Sequence, residues 1–298
     1  MNITVTGSIG NVSRPLIQTL VASGHQVQVI SSSPDRAVEI RALGATPLIG
    51  ALEDEAFILN AFQASDAVYT MIPPHFHTPD YNRFVQNVGK NYARAISQAR
   101  VQYVVNLSSV GSVLAGRPPL LGYQSLEAWL SALTDVHVLH LRPAGFYSNF
   151  YGSISMIHHQ GILGNNVDGD VDLVMSHPDD IAEAAAEAFN TLSFQGSTAV
   201  NIISDQKTGH ELAAVLGASI GRPDLRWVTL SDQLLLSALV QNGIQADVAQ
   251  HYMVDMGIAI GQGLLDDYYQ NSTEQVFGRR SFSEFATEFA KVYQTTVS

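Results

Sequence analysis

Thr6-Gly7-Ser8-Ile9-Gly10-Asn11-Val12-Ser13-Arg14-Pro15-Leu16 follows an alternating apolar pair, Ile3 and Val5, and runs into Leu16, Ile17, Leu20 and Val21. The alternation predicts a short strand, and the second spacing predicts one face of an amphipathic helix. A strand, a glycine turn and a helix within 25 residues form the entry of a dinucleotide-binding βαβ unit. Glycines let the backbone turn tightly and come close to a pyrophosphate, whose charge is received by free N–H groups at the helix start. The spacing is Gly7-x-x-Gly10-x-x-Ser13 rather than Gly-x-Gly-x-x-Gly, with Ser13 small enough to keep the helix against the sheet.

Working outward, strands are expected at Gln26 to Ile30, Thr46 to Ile49, Ala67 to Ile72, Val101 to Leu107 and Val136 to Leu141. Helices are expected between them: one opened by Pro34 and carrying Val38, Ile40 and Leu43, then 54–62, 80–99 and 121–133. The stretch Ser108 to Pro119, rich in Gly, Ser and Pro, reads as a mobile loop. Strands alternating with helices imply an α/β protein: a Rossmann doubly wound parallel sheet, its strand ends and loops gathered along one ligand-binding edge. Beyond about residue 143 the alternation loosens. Helices are expected at 179–192, 208–220, across most of 231–263 and at 281–294, with strands at Ala199 to Ile203 and near Arg226 to Thr229. The expected organisation is therefore a nucleotide domain over 1–150 and a smaller, mostly helical lobe over 151–298. That lobe is discontinuous, because 176–204 is expected to return to the first sheet.

The chain has 298 residues, 46% of them hydrophobic, and a formal net charge of −12. Three lysines occur, Lys90, Lys207 and Lys291. Nucleic-acid binders need clustered positive charge to neutralise phosphate, so direct nucleic-acid contact is not expected. With no cysteine, disulfides, thiol nucleophiles and thiolate metal sites are excluded. No basic segment leads into a long apolar run, and no segment reaches the ~18–20 apolar residues that cross a bilayer. A soluble, cytoplasmic protein without membrane contact is expected.

Thr-Gly-x-x-Gly-Asn-Val-x-Arg-Pro-Leu resembles the opening of the NmrA-like proteins, a branch of the atypical short-chain dehydrogenase/reductases. Ser65-Asp66-Ala67-Val68-Tyr69, Leu141-Arg142-Pro143-Ala144-Gly145-Phe146 and His177-Pro178-Asp179-Asp180-Ile181-Ala182 agree with that resemblance in order, over about 180 residues. Cofactor contacts are expected at Gly7, Ser8, Ile9, Gly10, Asn11, Val12, Ser31, Ser32, Ser33, Arg36, Leu52, Met71, Ile72, Pro73, Ser108 and Gly145. The resemblance also implies a substrate pocket walled by Phe146 and Tyr147, and His75, in the loop at the expected ligand edge, reads as a further pocket-lining residue. The family's Gly-Asp-Leu after the third strand is Gly50-Ala51-Leu52 here, so an acidic contact to the adenine is missing.

The end of the second strand decides between NADP and NAD. An NAD site has Asp or Glu there to accept from the ribose 2′-hydroxyl, whereas a basic residue suits a 2′-phosphate. Ser31-Ser32-Ser33, with Asp35 and Arg36 just beyond, favours NADP, and NAD stays open. The blander reading is a solvated serine turn capping the next helix.

Typical catalytic members of the superfamily use a Ser to polarise a carbonyl and a Tyr to deliver a proton. A Lys four residues after the Tyr lowers its pKa. Here Ser108 and Ser109 follow the fifth strand and Tyr123 comes later, but Glu127 stands four residues on. The Tyr-x-x-x-Lys pair is absent. Tyr123, Ser109 and His75 remain the candidate catalytic groups, imidazole because it titrates near neutrality. His75-x-His77 lacks a third ligand of suitable spacing, so no metal is expected. Two functions follow. One is an NADP(H)-dependent oxidoreductase acting on a small quinone- or enone-like substrate. The other is a non-catalytic NAD(P) redox sensor acting on a transcription-related partner protein.

Overall fold

The computed structural model describes residues 1–298 except Ala115, 117–119, 272–274 and Ser298. Its first half alternates strictly: β1 (Asn2–Val5), α1 (Ser13–Ala22), β2 (Gln26–Ser31), α2 (Arg36–Ala42), β3 (Thr46–Ile49), α3 (Glu55–Phe62), β4 (Ala67–Thr70), α4 (Tyr81–Ala99), β5 (Tyr103–Leu107), α5 (Leu121–Ser131) and β6 (His137–Pro143). The second half is more broken: β7 (Gly145–Phe146), α6 (Ile154–Gln160), β8 (Ile162–Asn165), β9 (Asp172–Ser176), α7 (Pro178–Thr191), β10 (Ser197–Ile203), β11 (Asp205–Thr208), α8 (Gly209–Ser219), β12 (Arg226–Thr229) and α9 (Asp232–Gln241). It ends with α10 (Ala246–Val248), a π-helical stretch (Ala249–Val254), α11 (Asp255–Gly261), α12 (Asp266–Asn271), β13 (Gln275–Phe277) and α13 (Phe282–Val297).

One eight-stranded sheet runs in the order β13-β10-β6-β5-β4-β1-β2-β3, and every pairing in it is parallel. Parallel strands need crossovers, and the helices that supply them cover both faces. On one face Leu16, Ile17 and Leu20 of α1 pack with Ile181, Ala185 and Phe189 of α7. On the other, Val85, Val88, Tyr92 and Ile96 of α4 share a core with Leu126 and Leu130 of α5. Gly122 is needed there, because a Cβ would meet Val85 Cβ at 2.8 Å. A third core, holding Tyr147, Leu212, Trp227, Phe285 and Phe289, lies in the second half of the chain.

Several expectations are corrected. The helix expected at Pro34 begins at Arg36, and Val38 is 75% exposed, so that residue is not on the packed face. The strand expected to reach Ile72 stops at Thr70, because Met71 N–H leaves the ladder to bond Thr6 Oγ1 at 2.8 Å. Within 108–119, Val110–Val113 forms a 3-10 turn whose Val110, Gly111 and Ser112 are buried. Ser109 Oγ caps that turn by accepting from Gly111 N–H at 3.2 Å. The rest of that stretch includes the undescribed 115 and 117–119. No helix among the described residues is long and apolar enough to cross a membrane.

The winding starts at β1, steps outward through β2 to β3, then crosses back to β4 on the other side of β1. The loops after β1 and β4 therefore diverge and open a crevice at the carboxyl edge, where ligands bind in sheets of this kind.

Candidate functional site

The crevice is built from those two loops. Gly7 has φ +86°, a left-handed conformation natural to glycine, and an added Cβ would collide with the Met71 side chain from the opposite loop. Ser8 is also left-handed (φ 63°), held by its N–H bond to Ile30 O at 2.8 Å. Thr6 ties the two loops together, its hydroxyl bonded to Met71 O at 3.0 Å while Tyr92 Oη donates to the same carbonyl at 2.9 Å. Gly10 is exposed at the mouth, and a Cβ there would meet nothing within 4 Å. That open space, in front of the N-terminus of the ten-residue α1, is the space a pyrophosphate needs. The backbone thus fits a dinucleotide.

The expected contact residues divide by exposure. Gly10, Asn11, Ser32, Arg36 and Gly145 are exposed along this edge, and Gly7, Ser8, Ser33, Met71 and Pro73 are partly so. Ile9, Val12, Leu52 and Ile72 are buried, their side chains in the cores. Ser31 corrects the simple picture of a phosphate-facing serine. It is 3% exposed, and its hydroxyl accepts from Ser8 Oγ at 3.0 Å and from Ser33 N–H at 3.2 Å. The serine turn is braced internally, and the cations beside it are Arg36 and Arg14. Arg36 Nη1 reaches Glu39 Oε2 at 2.9 Å, while Arg14 Nη2 pairs with Glu39 Oε1. The two arginine bonds hold the Glu39 carboxyl below its ordinary range.

Tyr123 is buried 42 residues away from Tyr81 in sequence, yet the two hydroxyls lie 3.4 Å apart. Tyr123 Oη donates to Ile72 O at 3.2 Å, and burial pushes its pKa up, only partly offset by the bond from Tyr81. No lysine contacts it among the described residues: Lys90 lies over the Trp129 ring at 5.3 Å and Lys207 pairs with Asp205 at 3.5 Å. The hydroxyl is therefore held protonated and committed, and among the described residues no group beside it activates it as an acid.

Glu127 is committed to a buried cluster at the ends of β5 and β6. Its Oε1 accepts from Ser108 Oγ at 2.5 Å, from Ser112 Oγ at 2.7 Å and from Arg142 Nε at 3.0 Å. Arg142 Nη2 meets Oε2 at 2.6 Å, and Nη1 donates to Tyr268 Oη at 2.9 Å. Burial alone would raise the Glu127 carboxyl, but these donors outweigh it and keep it low. An ionised carboxylate only accepts, so Ser108 spends its proton on Glu127 and offers no donor to a ligand carbonyl. This cluster was hidden in the sequence, where Arg142 and Glu127 lie 15 positions apart.

His75 and His77 are exposed in the loop after β4, with the His75 ring against Phe84 at 5.0 Å between centroids. Phe146 is half-buried against the first core. Tyr147, expected at the pocket wall, is a core residue instead: it is fully buried against Phe282 and Phe285, and its hydroxyl donates to Arg280 O at 3.1 Å.

A wholly parallel sheet with a glycine turn at its switch point defines a Rossmann-like α/β fold, of the kind that binds NAD(P). Residues 7–139 match the family model described as NAD(P)H-binding, which covers the glycine turn, the serine turn and the Tyr123–Glu127 region. The chain is similar over its whole fold to the Escherichia coli NADPH-dependent quinone oxidoreductase QOR2, solved with NADPH (TM-score 0.78, 21% identity, 96% of this chain and 99% of that one). It is likewise similar to NmrA, a negative transcriptional regulator solved with NAD (TM-score 0.77, 16% identity, 100% and 98%). In sequence it is 28% identical over 162 residues, 49% of this chain and 47% of that one, to a 4-hydroxy-2-methyl-3-oxo-4-farnesyl-3,4-dihydroquinoline-1-oxide ketoreductase of Stigmatella aurantiaca. The chain thus spans about half the length of that curated relative.

Proposed function

We propose that the protein is an NADP(H)-dependent oxidoreductase acting on a small, uncharged quinone- or enone-like acceptor without a Tyr-x-x-x-Lys pair. The observation that carries this reading is the open space at Gly10, in front of α1 and beside two arginines. A reduced nicotinamide bound there supplies hydride. The Gly7–Val12 backbone holds the pyrophosphate, Arg36 meets the 2′-phosphate, and the loops carrying Pro73, Ser108 and Gly145 line the nicotinamide end. Residues 1–150 act as the cofactor domain, and the discontinuous remainder forms the substrate-side lobe.

Reduction of a quinone to the hydroquinone takes one hydride, which carries two electrons and a proton, and one further proton, and a conjugated acceptor spreads the negative charge that hydride delivers. That lowers the demand on a protein acid, which suits a site whose Tyr123 and Ser108 hydroxyls are already committed. Exposed His75 is the side chain we assign to proton delivery, with Phe146 at the pocket wall and Ser109 keeping the turn before Ser112. The names of the quinone oxidoreductase and the ketoreductase support this class of acceptor.

The test is NADPH oxidation, followed at 340 nm, against a panel of quinones and enones. Turnover with at least one acceptor is expected, together with a loss on His75→Ala. Cofactor binding without oxidation across the panel favours the second reading, a redox sensor acting on a regulatory protein partner. The likeness to NmrA supports that alternative.

A further inference from the structure

Glu39 stands where the proposed cofactor site meets its most exposed charges. Each of its oxygens takes one arginine: Oε1 receives Arg14 from the first turn of α1, and Oε2 receives Arg36 from the first turn of α2 at 2.9 Å. All three side chains are partly open to solvent, with 39%, 51% and 37% of Arg14, Arg36 and Glu39 exposed. The carboxylate therefore links two helices that flank the turn after β2, and it does so at the edge where a 2′-phosphate is read. A surface ion pair of this kind contributes little to stability, so its placement calls for another explanation.

We propose that Glu39 is a specificity-determining residue. It gathers Arg14 and Arg36 into one two-pronged cationic site and competes with the 2′-phosphate for both, holding the NADP preference below what the arginines alone would give. The inference rests on the reading of this edge as the 2′-phosphate site, and it adds Arg14 as a second phosphate-binding residue.

The charges set the sign. Two guanidiniums and one carboxylate sum to +1, whereas a phosphomonoester brings about −1.5 to −2. To bind it, the arginines exchange a carboxylate for a phosphate, and the displaced carboxylate stays nearby as a like charge. Exchange for Gln keeps the side-chain length and a hydrogen-bonding head but removes the competitor and the repulsion. NAD carries no 2′-phosphate, so it feels none of this. Asp35, exposed in the same turn, is present in every variant and drops out of the comparison.

The experiment is calorimetric titration of NADP+ and NAD+ into wild type, E39Q, R14A, R36A, and E39Q on the R14A/R36A background. Glu39→Gln is expected to tighten NADP+ about three- to tenfold at low salt and to move NAD+ less than about twofold. The gain should shrink as salt rises, since the site is solvent-exposed. Arg14→Ala and Arg36→Ala should each weaken NADP+ on the order of tenfold, and Glu39→Gln should do nothing once both arginines are gone. A weaker or unchanged NADP+ affinity in Glu39→Gln, or equal shifts for both cofactors, overturns the proposal while leaving cofactor binding intact. Binding of neither cofactor to wild type overturns the cofactor reading itself, and this one with it.

Discussion

The Glu127 carboxylate is gripped by Arg142 through two parallel N–H bonds, at 3.0 and 2.6 Å, while Tyr123, four residues before it on the same helix, donates its hydroxyl to Ile72 O. A bidentate arginine–carboxylate pair is directional and strong where water is scarce. Here it also anchors Ser108 and Ser112, so it fixes the turn after β5 and leaves Tyr123 to a different core.

Breaking that pair on one side leaves the other charge buried. Arg142→Ala should destabilise the protein by about 3–5 kcal/mol, read from urea unfolding midpoints. Replacing both partners with apolar residues of similar volume, Arg142→Met with Glu127→Leu, should recover much of the loss. A loss under about 1 kcal/mol for Arg142→Ala would mean that the pair is solvated in solution.

Acid should unfold the protein through a second buried group. His140 accepts from Asn106 Nδ2 at its Nδ1 (3.0 Å) and lies 3.0 Å from Ser131 Oγ through its Nε2, an arrangement that suits a neutral ring. Burial pushes its pKa down to about 4, against the opposing pull of Glu127. A depressed histidine imposes no cost above its unfolded value near 6.5. As pH falls from there towards 4, the unfolded chain takes up the proton first and stability declines, by about 3 kcal/mol in total. Glu127, whose carboxyl is held low, adds to the loss in the same direction. Denaturation curves between pH 7 and 4 check this, and His140→Gln should flatten the slope. An unchanged slope in that variant would assign the acid lability elsewhere.

Tyr123→Phe separates structure from catalysis. With its hydroxyl donated to Ile72 O and no cation beside it among the described residues, the variant should keep kcat within about threefold while losing about 1 kcal/mol of stability for the buried bond. A drop of a hundredfold or more in kcat, with the fold intact, would restore Tyr123 as the acid.

The sheet was legible because its period is local. Ile3 and Val5 alternate, Leu16, Ile17 and Leu20 recur on one helical face, and the glycine turn sits between them. Those features predict the wound parallel sheet without knowledge of anything distant. The short strands β8, β9, β11 and β13 were not legible. They have three to five residues each, and β13 earns its place only by pairing with Asn201–Ile203. The site was readable in the same proportion. Gly7 and Gly10 announce themselves by chain position, whereas the Glu127–Arg142 and Arg14–Glu39 pairs join residues 15 and 25 apart. Glu127 could be noticed only as the residue standing where a lysine was sought, and Tyr147 read as a pocket aromatic because nothing local says that Phe282 and Phe285 cover it.

The two glycines of the first turn should behave oppositely. Gly7→Ala forces a Cβ onto a left-handed backbone and into Met71, costing about 1–2 kcal/mol from the backbone alone. Thermal denaturation should show a clear fall in Tm for that variant.

Gly10 gives the most direct test of the central claim, that this turn holds a dinucleotide. A Cβ there meets no protein atom within 4 Å and the position is exposed, so Gly10→Leu should fold with a nearly unchanged Tm. It would nevertheless fill the space in front of α1 that the pyrophosphate requires. Titration of NADPH into wild type and Gly10→Leu should show binding in the first and its loss in the second. NADPH affinity unchanged by a leucine at position 10 would contradict the account.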